Sequence, residues 1–132
     1  MISETHNSNE EIRLILQQIN NAWYSGNPDE LNEFFHFDIV MKGPCFQTIA
    51  RGRDACIQSY KDFLTQCTIK DYQQSEPDID VWGDTAVSIV PWTMTYVLNG
   101  EEYTESGFDV FTFARHEGKW LAVWRTLVTK PG

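Results

Sequence analysis

Basic residues are scarce in this chain: 10 Lys plus Arg stand against 19 Asp plus Glu, for a formal net charge of -9. The few cations are scattered, and the largest cluster is Arg51 with Arg53. Such a surface repels phosphate backbones and anionic headgroups, which argues against nucleic-acid and membrane-surface roles. Cysteine is equally sparse. Cys45, Cys56 and Cys67 are an odd count without a CxxC pair or a neighbouring His. They read as reduced structural thiols of a cytoplasmic protein, not a disulfide framework or a zinc site. No run of apolar residues approaches the length of a membrane span, and Met1 to Asn9 is polar where a signal peptide would be basic and then apolar. No glycine-rich phosphate loop or metal-spaced cluster of His and carboxylates occurs, so no cofactor and no metal are expected.

Apolar and aromatic residues are what the chain does have. Hydrophobic residues make up 42% and aromatics 14% of 132 residues, enough for one domain over residues 1–132 with a sizeable core. Residues 1–7 read as a flexible tail. Ser8 and Glu11 then have capping-box spacing. Ile12, Ile15, Leu16, Ile19 and Trp23 form one stripe of an amphipathic helix, which Gly26 stops. Asn27 and Pro28 open a second, short helix carrying Leu31, Phe34 and Phe35 inward. A third helix starts near Gly52, with Cys56, Tyr60, Phe63 and Cys67 on one face.

Strands are expected before it at about 37–41 and 46–50. Beyond it the period changes from 3.6 to 2, with strands at about 69–74, 79–82, 85–98, 101–114 and 119–128. Gly83-Asp84 and Asn99-Gly100 are two-residue hairpin signals. Helices followed by an antiparallel meander give an α+β fold with helices on one face of a curved sheet.

The Asn99-Gly100 turn sets a register in which Leu98 faces Glu101, Tyr96 faces Tyr103, Met94 faces Glu105, Trp92 faces Gly107 and Val90 faces Asp109. One face then carries Trp92, Met94, Tyr96, Phe111 and Phe113 together with Glu105 and Asp109. Gly107 leaves room for the Trp92 indole or for a ligand. The other face mixes Val87, Ile89, Pro91, Val97, Phe108 and Val110 with Thr and Ser, a composition suited to a homodimer interface. Asp109 is the most informative residue, because a carboxylate among Val90, Phe111 and Trp92 must be neutral, paired or hydrated. A four-residue loop over 115–118 places Trp124 opposite it; a three-residue loop places Arg125 there, as a cross-strand ion pair. Glu105 is nearer the open end. His36 is a candidate acid or base only if the fold turns it inward.

From Ile12 to Val128 the chain resembles the nuclear transport factor 2-like superfamily, on the branch of ketosteroid isomerases and SnoaL-like polyketide cyclases. The resemblance rests on Trp23-Tyr24-Ser25-Gly26-Asn27, the step from Phe34-Phe35 to Asp38, the helix led by Gly52, the Asn99-Gly100 hairpin and Gly118-Lys119-Trp120. It implies a cone: a strongly bent antiparallel sheet with three helices on its concave face, a pocket at one end and dimers through the outer face. Ketosteroid isomerases use a protonated Asp, an oxyanion Tyr and an Asp base. By spacing, the protonated Asp corresponds to Asp109, the oxyanion Tyr to Ile19 and the base to Gly43. A supporting Tyr is kept as Tyr60 and another becomes Phe35. The isomerase reaction is therefore not expected.

Three readings follow. The first is a pocket that binds a small hydrophobic or aromatic molecule. Its walls are Trp92, Met94, Tyr96, Phe111 and Trp124, and Asp109, with Tyr60 and Glu105, supplies polar contacts. The second is an isomerase, cyclase or dehydratase using Asp109 as acid/base. The third is an association module with a filled cavity and an Asp109–Arg125 ion pair.

Overall fold

The amphipathic stripe read from the sequence becomes the buried face of the first helix. The structure, a computed structural model, describes residues 4–25 and 27–130. Helix α1 spans Glu4–Tyr24 and buries Ile12, Leu16, Ile19, Ala22 and Trp23. It begins earlier than expected, so Ser8 is not its cap. The Ser8 hydroxyl is buried and accepts from Arg115 Nη1 at 3.4 Å, a partner that local sequence does not reveal. Residues 4–7 are helical and not a tail, while residues 1–3 and the expected stop at Gly26 lie outside the described residues. The short second helix is a 3-10 turn, Pro28–Glu33. Asn27 does not cap its backbone, and its amide instead donates to the Glu30 carboxylate at 2.8 Å.

Strand β1 (Phe35–Lys42) follows, then β2 (Thr48–Arg51), helix α2 (Arg53–Gln66), β3 (Thr68–Gln74), β4 (Asp78–Trp82), β5 (Thr85–Leu98), β6 (Glu101–His116) and β7 (Lys119–Thr129). They form one seven-stranded sheet in the order β2-β1-β7-β6-β5-β3, with β4 also paired to β5. Strands β3 and β4 share one edge of β5: Gln74 pairs with Trp92, and Asp78 with Ile89. Pro91 falls in the gap between them, where its missing N–H breaks no ladder bond. All pairs are antiparallel except β1 with β7. The architecture is the expected α+β arrangement, a large curved, unclosed sheet with helices packed on it. The core centres on Ile12, Leu31, Phe35, Ile39, Cys56 and Phe113.

The β5–β6 register is the expected one throughout, from Leu98↔Glu101 to Thr85↔Ala114. Asn99 and Gly100 have φ of 53° and 82°, the paired positive values of a type I′ turn. The next hairpin differs from both loop lengths considered. His116 pairs with Lys119 across Glu117 and Gly118, at φ 52° and 78°, so this is a two-residue turn as well. A bulge at Val123, between the Phe113↔Ala122 and Thr112↔Trp124 pairs, then shifts the register by one residue. Asp109 therefore faces Leu127, and Arg125 faces Phe111.

Candidate functional site

The bulge decides which β7 side chains meet the concave face. Before it, Trp120 and Ala122 are buried; after it, Arg125, Leu127 and Thr129 take the inner positions. They border a cavity of about 240 Å³ whose other walls come from every layer of the fold. Strand β5 contributes Trp92 and Met94, β6 contributes Glu105 and Asp109, and α2 contributes Ser59, Tyr60 and Phe63. Trp23, Met41, Ile49 and Tyr72 complete it from α1, β1, β2 and β3. The Trp23 and Tyr72 rings meet edge to face, 5.0 Å between centroids.

At the polar end Arg125 grips Asp109 with two bonds, Nε to Oδ1 at 2.6 Å and Nη2 to Oδ2 at 3.1 Å. Both side chains are about nine-tenths buried, at 13% and 10% exposed. The ion pair expected from a direct cross-strand register thus forms, but along the diagonal. Both Asp109 oxygens accept from Arg125, so of the three states open to this carboxylate, neutral, paired or hydrated, the structure shows the paired one. The guanidinium lies over the Tyr60 ring, 5.4 Å from its centroid. Burial works against the Arg125 charge, but Asp109 beside it holds its pKa above the ordinary value. Burial pushes the Tyr60 and Tyr72 hydroxyls well above the usual tyrosine range, so both stay protonated.

Tyr60, Trp92, Met94, Glu105 and Asp109 stand at the cavity as expected. Three expected wall residues do not. Trp124 is on the convex face, because the bulge leaves it paired with Thr112; its indole donates to Thr126 at 2.6 Å and Lys42 lies over its ring. Phe111 is core, stacked on Phe113 at 5.8 Å. Tyr96 does not line the cavity and meets two residues that do: its ring packs edge-on against Phe63, 6.1 Å between centroids, and its hydroxyl donates to Glu105, the main reason its pKa is pushed up to about 12.

The space left by Gly107 is used by backbone. A Cβ there would lie 2.0 Å from the Val128 carbonyl oxygen, so the glycine admits β7 and not the indole. His36 follows buried Phe35 on β1 and so points the other way, where its Nδ1 accepts from the Asp38 N–H at 2.9 Å. Ile19 is core and Gly43 packs against Gln47, so neither expected isomerase position carries a functional group.

The residues not anticipated at the site are Trp23, Met41, Ile49, Ser59, Phe63, Tyr72, Leu127 and Thr129. Trp23 and Phe63 lay on apolar helical stripes and carried a signal; Leu127 and Thr129 depended on the bulge and carried none. No group of three potential metal ligands occurs among the described residues. No described helix is long and apolar enough to cross a membrane.

Residues 16–123 match the SnoaL-like domain family. No curated protein matches the chain. Among solved structures, an uncharacterised protein with a cystatin-like fold from Caulobacter vibrioides superposes with a TM-score of 0.80 at 18% identity, covering 93% of this chain and 89% of that one. A nuclear transport factor 2-like protein from Cytophaga hutchinsonii gives 0.77 at 13% identity, covering 98% and 100%. Another, from Novosphingobium aromaticivorans, gives 0.73 at 23% identity, covering 94% and 82%. At these identities the likeness is one of fold.

Proposed function

Because the chain belongs to the SnoaL-like domain family, with the nuclear transport factor 2-like fold, we propose that it binds a small hydrophobic or aromatic molecule in the cavity of its cone. The carrying observation is the cavity itself: about 240 Å³, walled by aromatic, Met and Leu side chains, with a buried ion pair among them. Apolar walls supply affinity and a few fixed polar groups supply orientation, the usual division in small-molecule sites. An engineered apolar cavity of about 150 Å³ admits benzene. This one therefore suits a substituted single ring. The Asp109–Arg125 pair is the polar anchor, with Tyr60 beside it.

Thermal unfolding against a panel of single-ring compounds tests this. A ligand at a hundred times its dissociation constant adds about 2.7 kcal/mol, which raises the melting temperature by several degrees. Leu127→Trp, which fills the cavity, abolishes the shift. No shift with any compound refutes the reading.

Two further proposals accompany it. The convex face of β5 and β6 pairs with a second copy of the chain, supported by exposed Ile89 and by half-buried Val87, Phe108 and Val110 on one surface. Sedimentation equilibrium of Ile89→Lys against wild type checks this, with a monomeric wild type as the contrary result. The three free thiols fit a reducing compartment such as the cytoplasm.

A further inference from the structure

We infer that the Arg125 end of the cavity is a hydrogen-bond donor array that selects a neutral single-ring ligand through a carbonyl-type oxygen. The inference rests on the reading that the cavity holds a small hydrophobic molecule, and adds which kind.

The donors outnumber the acceptors. Arg125 spends Nε–H and one Nη2–H on Asp109, leaving both N–H groups of Nη1 and the second of Nη2 without a partner among the described residues. The Tyr60 hydroxyl makes no hydrogen bond among them either, although Tyr60 is 8% exposed. The Tyr72 hydroxyl accepts from Gln74 Nε2 at 2.8 Å, which leaves its own proton unspent. Against these stand two carboxylates, Asp109 with both oxygens already on Arg125 and Glu105 with one oxygen accepting from Tyr96. Of the donors bordering the cavity, the Trp92 Nε1–H is buried without a partner among the described residues, whereas those of Arg125, Tyr60 and Tyr72 remain accessible, so a ligand that brings an oxygen to them makes hydrogen bonds that a hydrocarbon of the same shape cannot.

Charge decides which oxygen. Arg125 is the only cation among the residues bordering the cavity, and Asp109 already neutralises it. Glu105 borders the same cavity, and the chain carries a formal net charge of -9. A ligand carboxylate would add a further negative charge to a largely apolar site with no cation left to balance it. A ketone, aldehyde or ester oxygen accepts the same hydrogen bonds without that cost.

Binding of acetophenone, ethylbenzene and benzoate to wild type and Tyr60→Phe, measured by calorimetry, tests the inference. The three probes share a single ring and differ in the group offered to the donors. In wild type, acetophenone binds about tenfold more tightly than ethylbenzene, and benzoate binds most weakly. Tyr60→Phe reduces acetophenone affinity several-fold and leaves ethylbenzene within twofold, which also shows that the cavity is intact. Should that variant fail to fold, Tyr72→Phe gives the same comparison. Equal affinity for acetophenone and ethylbenzene overturns the donor array while leaving the hydrophobic cavity in place. Benzoate binding most tightly overturns the choice of a neutral ligand. An unchanged acetophenone preference in the variant overturns the array. No binding of any probe refutes the cavity reading itself.

Discussion

Removing Asp109 strands a guanidinium. The two partners are 10% and 13% exposed and joined by bonds of 2.6 and 3.1 Å, so Asp109→Ala leaves Arg125 charged, buried and unpaired. Breaking such a pair from one side costs about 3–5 kcal/mol. For 132 residues, an unfolding entropy of about 2.1 cal/mol/K per residue gives about 0.28 kcal/mol/K, so 4 kcal/mol lowers the melting temperature by about 14 °C. Arg125→Met is destabilising for the mirror-image reason. The double variant Asp109→Leu/Arg125→Met removes both charges, and its stability returns to within about 2 kcal/mol of wild type, because paired buried ions replaced by apolar groups of similar volume are close to neutral. Urea unfolding of wild type, Asp109→Leu, Arg125→Met and the double variant closes this double-mutant cycle, the Asp109→Leu single being destabilised for the same reason as Asp109→Ala. Single-variant losses below 1 kcal/mol, or a double variant as unstable as the sum of the singles, refute the assignment of a dry, mutually dependent pair.

Other perturbations follow from particular contacts. Gly107→Ala places a Cβ 2.0 Å from the Val128 carbonyl, so it destabilises by about 2 kcal/mol or more and speeds amide exchange at the end of β7. Trp124→Ala leaves the affinity for single-ring ligands unchanged and costs about 1 kcal/mol through its bond to Thr126; a lost ligand would return Trp124 to the cavity. Tyr96 ionises at about 12 in the folded protein against 10.0 ordinarily, chiefly through its bond to Glu105. Its contribution to stability is fully present below pH 10 and fades as pH rises through about 12. In Glu105→Gln an ultraviolet titration finds the transition nearer 10. Burial pushes the Cys56 thiol up to about 11, so in the native protein a disulfide reagent modifies exposed Cys45 and reaches Cys56 only after unfolding.

Local sequence determined a great deal. The spacing of Ile12, Leu16, Ile19 and Trp23 fixes which face of α1 is buried, because only one side of a helix meets the sheet. Asn99-Gly100 fixes the β5–β6 register, since both residues take positive φ in a two-residue turn whose twist matches the strands. From that register the sequence also places Trp92, Met94, Glu105 and Asp109 on one side of the sheet, and all four border the cavity.

Tertiary structure decided the rest of the site. Glu117 adopts positive φ without being Gly or Asn, so the second hairpin carries a weaker turn signal than the first. The bulge at Val123 has no marker residue at all. One inserted residue turns Trp124 out and Arg125 in, and with it the partner of Asp109 changes from a cross-strand neighbour to a diagonal one. Gly107 carries a similar lesson: the sequence shows a missing side chain, but only the fold shows that the β7 backbone fills the gap. Helical spacing and paired-strand register are short-range properties that a chain encodes locally. A cavity is the space left between layers distant in sequence, so its polar end was set only when β7 closed against β6 over helix α2.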